Sequence, residues 1–286
     1  MSDLIVILAM NGLVWGLIIA LIALGLSVIF GLLDIINVAH GDFFMLGTVF
    51  AWTIILITGN FWIAFLIVPL LGMAFGALIE RVVIRPVENS ASLSIVATFG
   101  LSLILQESVR ATFGATPKRI LDPIGLTIPV VGFDYEVYRL FAAGVSIAAI
   151  AAFFLFLHRT KFGTWMRAVR QDRDTAVAMG VPSDRIFVVT FGLGMALAML
   201  GGVVAAPITT VDFRLGLDVL PLCFMAVIIG GLGNLPGTAA AAVLLAFMEG
   251  IITSFTEPTT ARIISLIFMS VVLLLRPQGI FARSTG

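Results

Sequence analysis

The sequence predicts an all-α protein, a polytopic bundle of eight or nine transmembrane helices forming a single transmembrane domain over residues 1–286, with interrupted helices near 34–41 and 230–237. Three observations lead there. Only 11% of the residues are charged and 60% are hydrophobic, whereas a soluble domain carries about 25% charged residues. Mean hydropathy is +1.18. The apolar residues also come in blocks close to the ~20 residues needed to cross a bilayer, and in lipid each block must be helical because no water is there to satisfy exposed backbone groups.

The blocks run from residue 9 to 33, 42 to 58, 62 to 79, 93 to 112, 138 to 157, 186 to 206, 219 to 232, 238 to 255 and 260 to 275, each bounded by Pro, Gly, Asn or charge. The start, MSDLIVILAM, carries Asp3 and no Lys or Arg ahead of its apolar run, so the first block is expected to remain as a span rather than serve as a cleaved secretory signal. Between the first and second blocks DIINVAHG (34–41) interrupts a hydrophobic region, and GGLGNLPG (230–237) interrupts another. Such breaks survive at membrane depth only where protein or a watery cavity covers them. Gly12 with Gly16, and Gly72 with Gly76, stand four apart, a spacing that lets helices approach closely. Packing inside the bundle is their expected use, with a helix-dimer motif as the alternative. Glu107 and Arg110 are three apart and can pair on one helix face. The longest loop between blocks contains DPIGLTIPVVGFDYE, with Pro123, Gly125, Pro129 and Gly132 at turn-like spacing, and reads either as a connector or as a docking surface.

Basic residues set the expected orientation. Arg81 and Arg85 follow the third block, residues 158–185 hold Arg159, Lys161, Arg167, Arg170, Arg173 and Arg185, and Arg276 and Arg283 follow the last block. If every block crosses once, all three sites share a side, which the positive-inside rule places in the cytoplasm. The N-terminus is then outside and the C-terminus inside.

Several chemistries find no support. Net charge is zero, which gives no electrostatic case for nucleic acid. A nucleotide-driven motor needs GxxxxGK[ST], yet Lys118 follows Pro117 and Lys161 follows Thr160, so no ATPase site and no cofactor are expected in this chain. His40 and His158 are far apart and Cys223 stands alone, so no metal is expected. What remains are polar residues inside apolar blocks, where a charge costs about 2.5 to 3.5 kcal/mol on insertion scales. Asn37, His40 and Asp42 form the densest set. They read either as an ordinary solvated turn or as a broken helix lining a pathway. Glu249, in AFMEGIITSF, has no local basic neighbour and must face the bundle interior, water or a partner.

The polar island 158–185 has its own helical grammar. Asp172 and Asp174 suit a helix start, Ala176, Val177 and Met179 give an apolar side, and Gly180 with Pro182 ends the helix. Ser183 is placed to cap the next helix. A short amphipathic helix of this kind either rests on lipid headgroups or fits a groove of a soluble partner.

AHGDFFMLG (39–47), RTKFGTWMRAVRQD (159–172), DTAVAMGV (174–181), GGLGNLPG (230–237) and RPQGIF (276–281) together resemble the permease subunits of branched-chain amino acid ABC importers, in order and over almost the whole chain. The resemblance implies half of a translocation pathway in a bacterial inner membrane. It also implies a second homologous permease subunit, two ATPase subunits that use ATP, and an extracytoplasmic solute-binding protein. The solute is then a small zwitterion, a branched-chain or other small hydrophobic amino acid. Pathway residues are expected at Asn37, His40, Gly41, Asp42, Gly230, Gly231 and Gly233, and ATPase coupling at Arg170, Asp172, Asp174, Ala176 and Gly180, with Asp174 where Glu is usual in the wider importer class. Urea and short-chain amide permeases share the AHG and GGLG patterns. An ion-coupled secondary carrier, with Asp42 or Glu249 as its proton or cation site, is the reading from another class.

Overall fold

Every apolar block winds into a helix. A computed structural model describes residues 2–88, 90–130, 132–276 and 278–281. The order is α1 (Ser2–Leu33), α2 (His40–Thr58), α3 (Phe61–Ile79), α4 (Ala91–Phe113), strands β1 (Thr127–Val130) and β2 (Phe133–Glu136), then α5 (Val137–Arg159), α6 (Lys161–Gln171), α7 (Arg173–Ala178), α8 (Ser183–Ala205), α9 (Leu215–Gly230), α10 (Leu235–Ile252) and α11 (Pro258–Leu275). Among the described residues eight helices are long and apolar enough to cross a membrane, and α9, of 16 residues, is apolar but shorter. α3 continues through a π-helical turn, Glu80–Ile84, and a 3-10 turn, Arg85–Val87.

Small residues decide which helices meet. A Cβ at Gly12 would stand 2.7 Å from the Ala246 oxygen, and one at Gly16 would stand 2.9 Å from the Val243 Cα. Further along, the Ser27 and Thr238 hydroxyls share a hydrogen bond of 3.1 Å. α1 and α10 are therefore antiparallel and nearly in backbone contact. Gly72 and Gly76 do the same for α3 against α8, facing Ala196 and Gly192. Both glycine pairs are thus used inside the chain. α1 and α8 form the centre, each 72% buried over its most apolar window, while α11 at 17% lies at the rim. At one end Phe61, Trp62 and Phe65 of α3 stack with Tyr138 and Phe141 of α5, and the Tyr138 hydroxyl donates to the Val204 carbonyl of α8 at 2.9 Å.

The loops sort into two ends. Arg173 pairs with Glu88 at 3.3 Å, Arg170 lies beside Gly31 and Gly233, and the Asn234 amide donates to the Phe281 carbonyl at 2.6 Å. The segments after α1, after α3, around α6 and α7, between α9 and α10, and after α11 therefore share one end. Arg81, Arg85, Arg159, Lys161, Arg167, Arg170, Arg173, Arg185 and Arg276 belong to it, whereas Arg283 lies outside the described residues. At the other end Lys118 and Val211 exchange backbone hydrogen bonds of 2.9 and 2.8 Å, joining the loop after α4 to the one after α8. The turn-rich stretch there forms an antiparallel hairpin, Thr127 opposite Glu136 and Val130 opposite Phe133. Ser183 does not cap α8: it is the first helical residue, and Pro182 before it offers no side-chain bond.

Candidate translocation site and coupling elements

α1 ends at Leu33, and Asp34 takes φ 53, a left-handed turn that swings the chain off the helix axis. The chain then runs without helix to Ala39. The Asn37 Oδ1 accepts from the Ala39 N–H at 3.1 Å, which starts α2. This start is inside the bundle: Asn37 is 1% exposed, His40 0% and Asp42 1%. His40 Nε2 donates to the Ile22 carbonyl in the middle of α1 at 2.9 Å. Gly41 is buried for a different reason, since a Cβ there would fall on the Gly216 carbonyl of α9. The Asp42 carboxylate, in the first turn of α2, meets the positive end of the helix dipole and accepts from the Gln106 amide of α4 at 2.9 Å.

That partner belongs to a stripe that sequence reasoning missed. Ser94, Thr98, Ser102 and Gln106, four residues apart, are the polar face of α4, and all are buried. The Val38 N–H donates to the Thr98 hydroxyl at 3.2 Å, and the Gln106 amide also reaches Ser102 Oγ at 2.9 Å. Leu103 and Ile104 on other faces of α4 are exposed. The signal was present as a four-residue polar period inside an apolar block. Among the described residues Asn37 Nδ2 and His40 Nδ1 have no partner, so the break holds two unused polar atoms beside a bound carboxylate.

The second break is a tight turn. Gly231 and Gly233 take φ 91 and 75, and the Asn234 side chain accepts from the Gly237 N–H at 3.3 Å to cap α10. Gly230 ends α9 against the Thr238 backbone. These glycines are buried, and no described contact joins them to Asn37, His40 and Asp42. Both groups lie on α1, one beside Ile22 and the other beside Gly31, about 13 Å further along the helix.

The polar island folds as two helices rather than one. Thr160 caps α6 by accepting from the Gly163 N–H at 3.1 Å. Gly163, Met166 and Val169 form its buried seam. Gly163 sits on the Leu157 carbonyl of α5, to which Arg167 also donates. Asp172 caps α7, accepting from the Thr175 N–H at 3.0 Å and from its hydroxyl at 2.7 Å. Arg170 lies on α6, Asp174 is exposed in the first turn of α7, Ala176 is its buried residue, and Gly180, φ 84, ends it with open space around the Cα. Val177 and Met179 stand 47% and 82% exposed at this tip. The Thr175 backbone N–H, helped by the Thr175 hydroxyl, holds the Asp172 carboxyl below the usual carboxylate range. A depressed value means that the cap is complete above the ordinary carboxylate pKa and is lost only as pH falls through the lowered one. Asp172→Ala is therefore expected to speed amide exchange over 173–178 at neutral pH while leaving α8 unchanged, and in the unaltered chain the cap is expected to be lost only below the ordinary carboxylate pKa.

Glu107 and Arg110 meet at 2.8 Å on an exposed face. Glu249 faces Arg262 and Ser265 of α11, and its Oε1 is buried without a hydrogen-bond partner among the described residues.

A buried polar break inside an apolar helical bundle is an arrangement that a membrane permease requires. The chain belongs to the family described as branched-chain amino acid transport system, permease component, which matches residues 8–275. It is 29% identical to the high-affinity branched-chain amino acid transport system permease protein LivH of Escherichia coli (strain K12), over 96% of this chain and 94% of that one. It is 27% identical to the corresponding protein BraD of Pseudomonas aeruginosa, over 96% and 94%. It is also 25% identical to a probable branched-chain amino acid transport permease protein LivH of Methanocaldococcus jannaschii, over 94% and 90%. These relatives favour neither a urea or amide permease nor an ion-coupled carrier. No solved structure matches the chain significantly.

Proposed function

We propose that this chain is one of two homologous permease subunits of an ABC importer that moves branched-chain or other small hydrophobic amino acids across a bacterial inner membrane. Separate ATPases provide the energy, and an extracytoplasmic binding protein delivers the solute. The observation that carries it is the polar break at residues 34–42, central in a bundle whose sequence matches the permease family from residue 8 to 275. Asn37, His40 and Asp42 would meet the solute's charged backbone groups in passing. Their present partners, the Gln106 amide and the Ile22 carbonyl, are neutral groups that a solute and water can replace. The end rich in arginine faces the cytoplasm by the positive-inside rule, which leaves the N-terminus outside. The ATPases then dock on α7, where exposed Val177 and Met179 stand out of a charged segment and suit a groove in a soluble partner.

The test is uptake of radiolabelled leucine by vesicles holding the complete transporter, ATP inside and loaded binding protein outside. ATP-dependent accumulation is expected. Uptake by this chain alone, driven by a proton or sodium gradient, would overturn the reading. Met179→Asp, at an exposed position, is expected to leave the purified bundle as stable as before while ATPase stimulation by loaded binding protein falls at least about tenfold, the equivalent of about 1.4 kcal/mol of lost docking. Stimulation at the original level would place the docking surface elsewhere.

A further inference from the structure

The segment after α11 folds back onto the turn between α9 and α10. Gly279, φ 91, comes so close that a Cβ there would stand 2.7 Å from the Gly231 nitrogen. The Ile280 N–H donates to the Ile229 carbonyl at 2.8 Å, one of the acceptors that a helix leaves open at its C-terminus. Asn234 then closes the junction. Its amide donates to the Phe281 carbonyl at 2.6 Å and to the Gly230 carbonyl at 3.2 Å, while its oxygen caps α10. One side chain thereby holds the end of α9, the start of α10 and the closing segment.

Arg170 of α6 reaches the same turn from its other side. A Cβ at Gly233 would stand 2.5 Å from Arg170 Nη2, and one at Gly31 would stand 3.0 Å from the Gly233 Cα. Glycine at both positions lets the guanidinium lie against the turn. α9 leaves this point as a rod of 16 residues with Pro221 in its first half, about 24 Å long. In its first turn lies Gly216, where a Cβ would stand 2.7 Å from Asp42 Oδ1 and which packs on Gly41. The rod thus connects the turn under α6 with the polar break.

We propose that α9 is the lever that carries movement of α6 to the break at Asp42, that the Gly231–Asn234 turn is its pivot, and that Asn234 is the positioning residue that makes the closing segment move with it. The proposal rests on the reading of α6 and α7 as the ATPase-facing elements. Turn residues of positive φ are free to absorb the backbone change of a hinge, and the rod is tied to the rest of the chain at both ends. An inward push on α6 at Arg170 tilts α9, and Gly216 then shifts against the carboxylate that Gln106 holds.

The complete transporter in vesicles tests this with two readouts, leucine uptake and ATP hydrolysis stimulated by loaded binding protein. Asn234→Asp keeps an oxygen to cap α10 but cannot donate to Phe281 or Gly230, and Asn234→Ala removes cap and clamp together. For Asn234→Asp the stimulated hydrolysis is expected to stay within about twofold of the unaltered transporter while uptake per ATP falls at least fivefold. Asn234→Ala is expected to lose as much coupling and some stability besides. Unchanged uptake per ATP in Asn234→Asp, or a proportional fall of both readouts, overturns the lever. Absence of ATP-driven uptake in the unaltered transporter overturns the function itself, a separate result.

Discussion

Gly202→Leu is expected to remove most of the folded protein from the membrane, with the accumulated amount falling about tenfold or more. The reason is where α2 crosses α8. A Cβ at Gly202 would fall on the Phe44 carbonyl oxygen and 2.9 Å from the Gly47 Cα, and a Cβ at Gly47 would fall on the Met199 carbonyl in return. Every one of these obstacles is backbone, so no rotamer change relieves the collision. Overpacking a core with small groups costs about 1 to 3 kcal/mol where side chains can shift. Here the helices themselves must part, and within lipid the contact between helices depends on close van der Waals packing rather than on escape from water. Gly144→Leu provides the control, because nothing lies within 4 Å of a Cβ built on Gly144 of α5. The same change of residue type at that site is expected to leave the amount within about twofold. Equal accumulation of both variants, measured by detergent extraction and fluorescence-detected size exclusion, would show that the crossing of α2 and α8 does not depend on glycine.

The contrast between these two glycines shows what a sequence of this kind exposes. Apolar blocks are legible because lipid imposes helix on each of them, and the two interruptions are legible because DIINVAHG and GGLGNLPG put polar and turn residues where a span should continue. Outside the four-residue pairs, which glycines meet a neighbour is not legible: Gly144 and Gly202 stand in equally apolar surroundings, and only the path of a distant helix separates them. α6 escaped notice for a local reason. Its buried seam is only Gly163, Met166 and Val169, a narrow stripe scattered among Lys161, Arg167 and Arg170, and the turn it packs on is that of Leu157 just before it. Asp42 was singled out by its cost in lipid, but its donor, Gln106, is 64 residues away and is set by the approach of α4. Gly231 and Gly233 were grouped with Asp42 because both interruptions carry glycine and polarity. The bundle keeps them apart along α1 and connects them through α9.

Gln106→Leu is expected to lower leucine uptake at least about tenfold and to destabilise the bundle, and the partner substitution at Asp42 separates these effects. In Gln106→Leu the Asp42 carboxylate, 1% exposed, loses the amide that donates to it at 2.9 Å. A buried acceptor without its donor costs about 1 to 3 kcal/mol, and more when it is charged. Replacing both partners by apolar groups of similar shape is by contrast nearly neutral, so the Asp42→Leu, Gln106→Leu double variant is expected to recover stability to within about 1 kcal/mol of the unaltered chain. Uptake is not expected to recover with it. A leucine pair would fill the space between α2 and α4 but would offer no acceptor to a zwitterion's ammonium group and no donor to its carboxylate, leaving Asn37 and His40 as the polar groups of the break. Stability and transport should therefore part company in the double variant, which thermal denaturation in detergent and uptake in vesicles will show on one preparation. If uptake returns together with stability, the Asp42 and Gln106 pair holds α4 in place and nothing more, and the solute passes by another surface. If it does not return while the fold does, the polar pair is required by the solute itself, because the Asp42 carboxylate and the Gln106 amide are the groups that the double variant lacks.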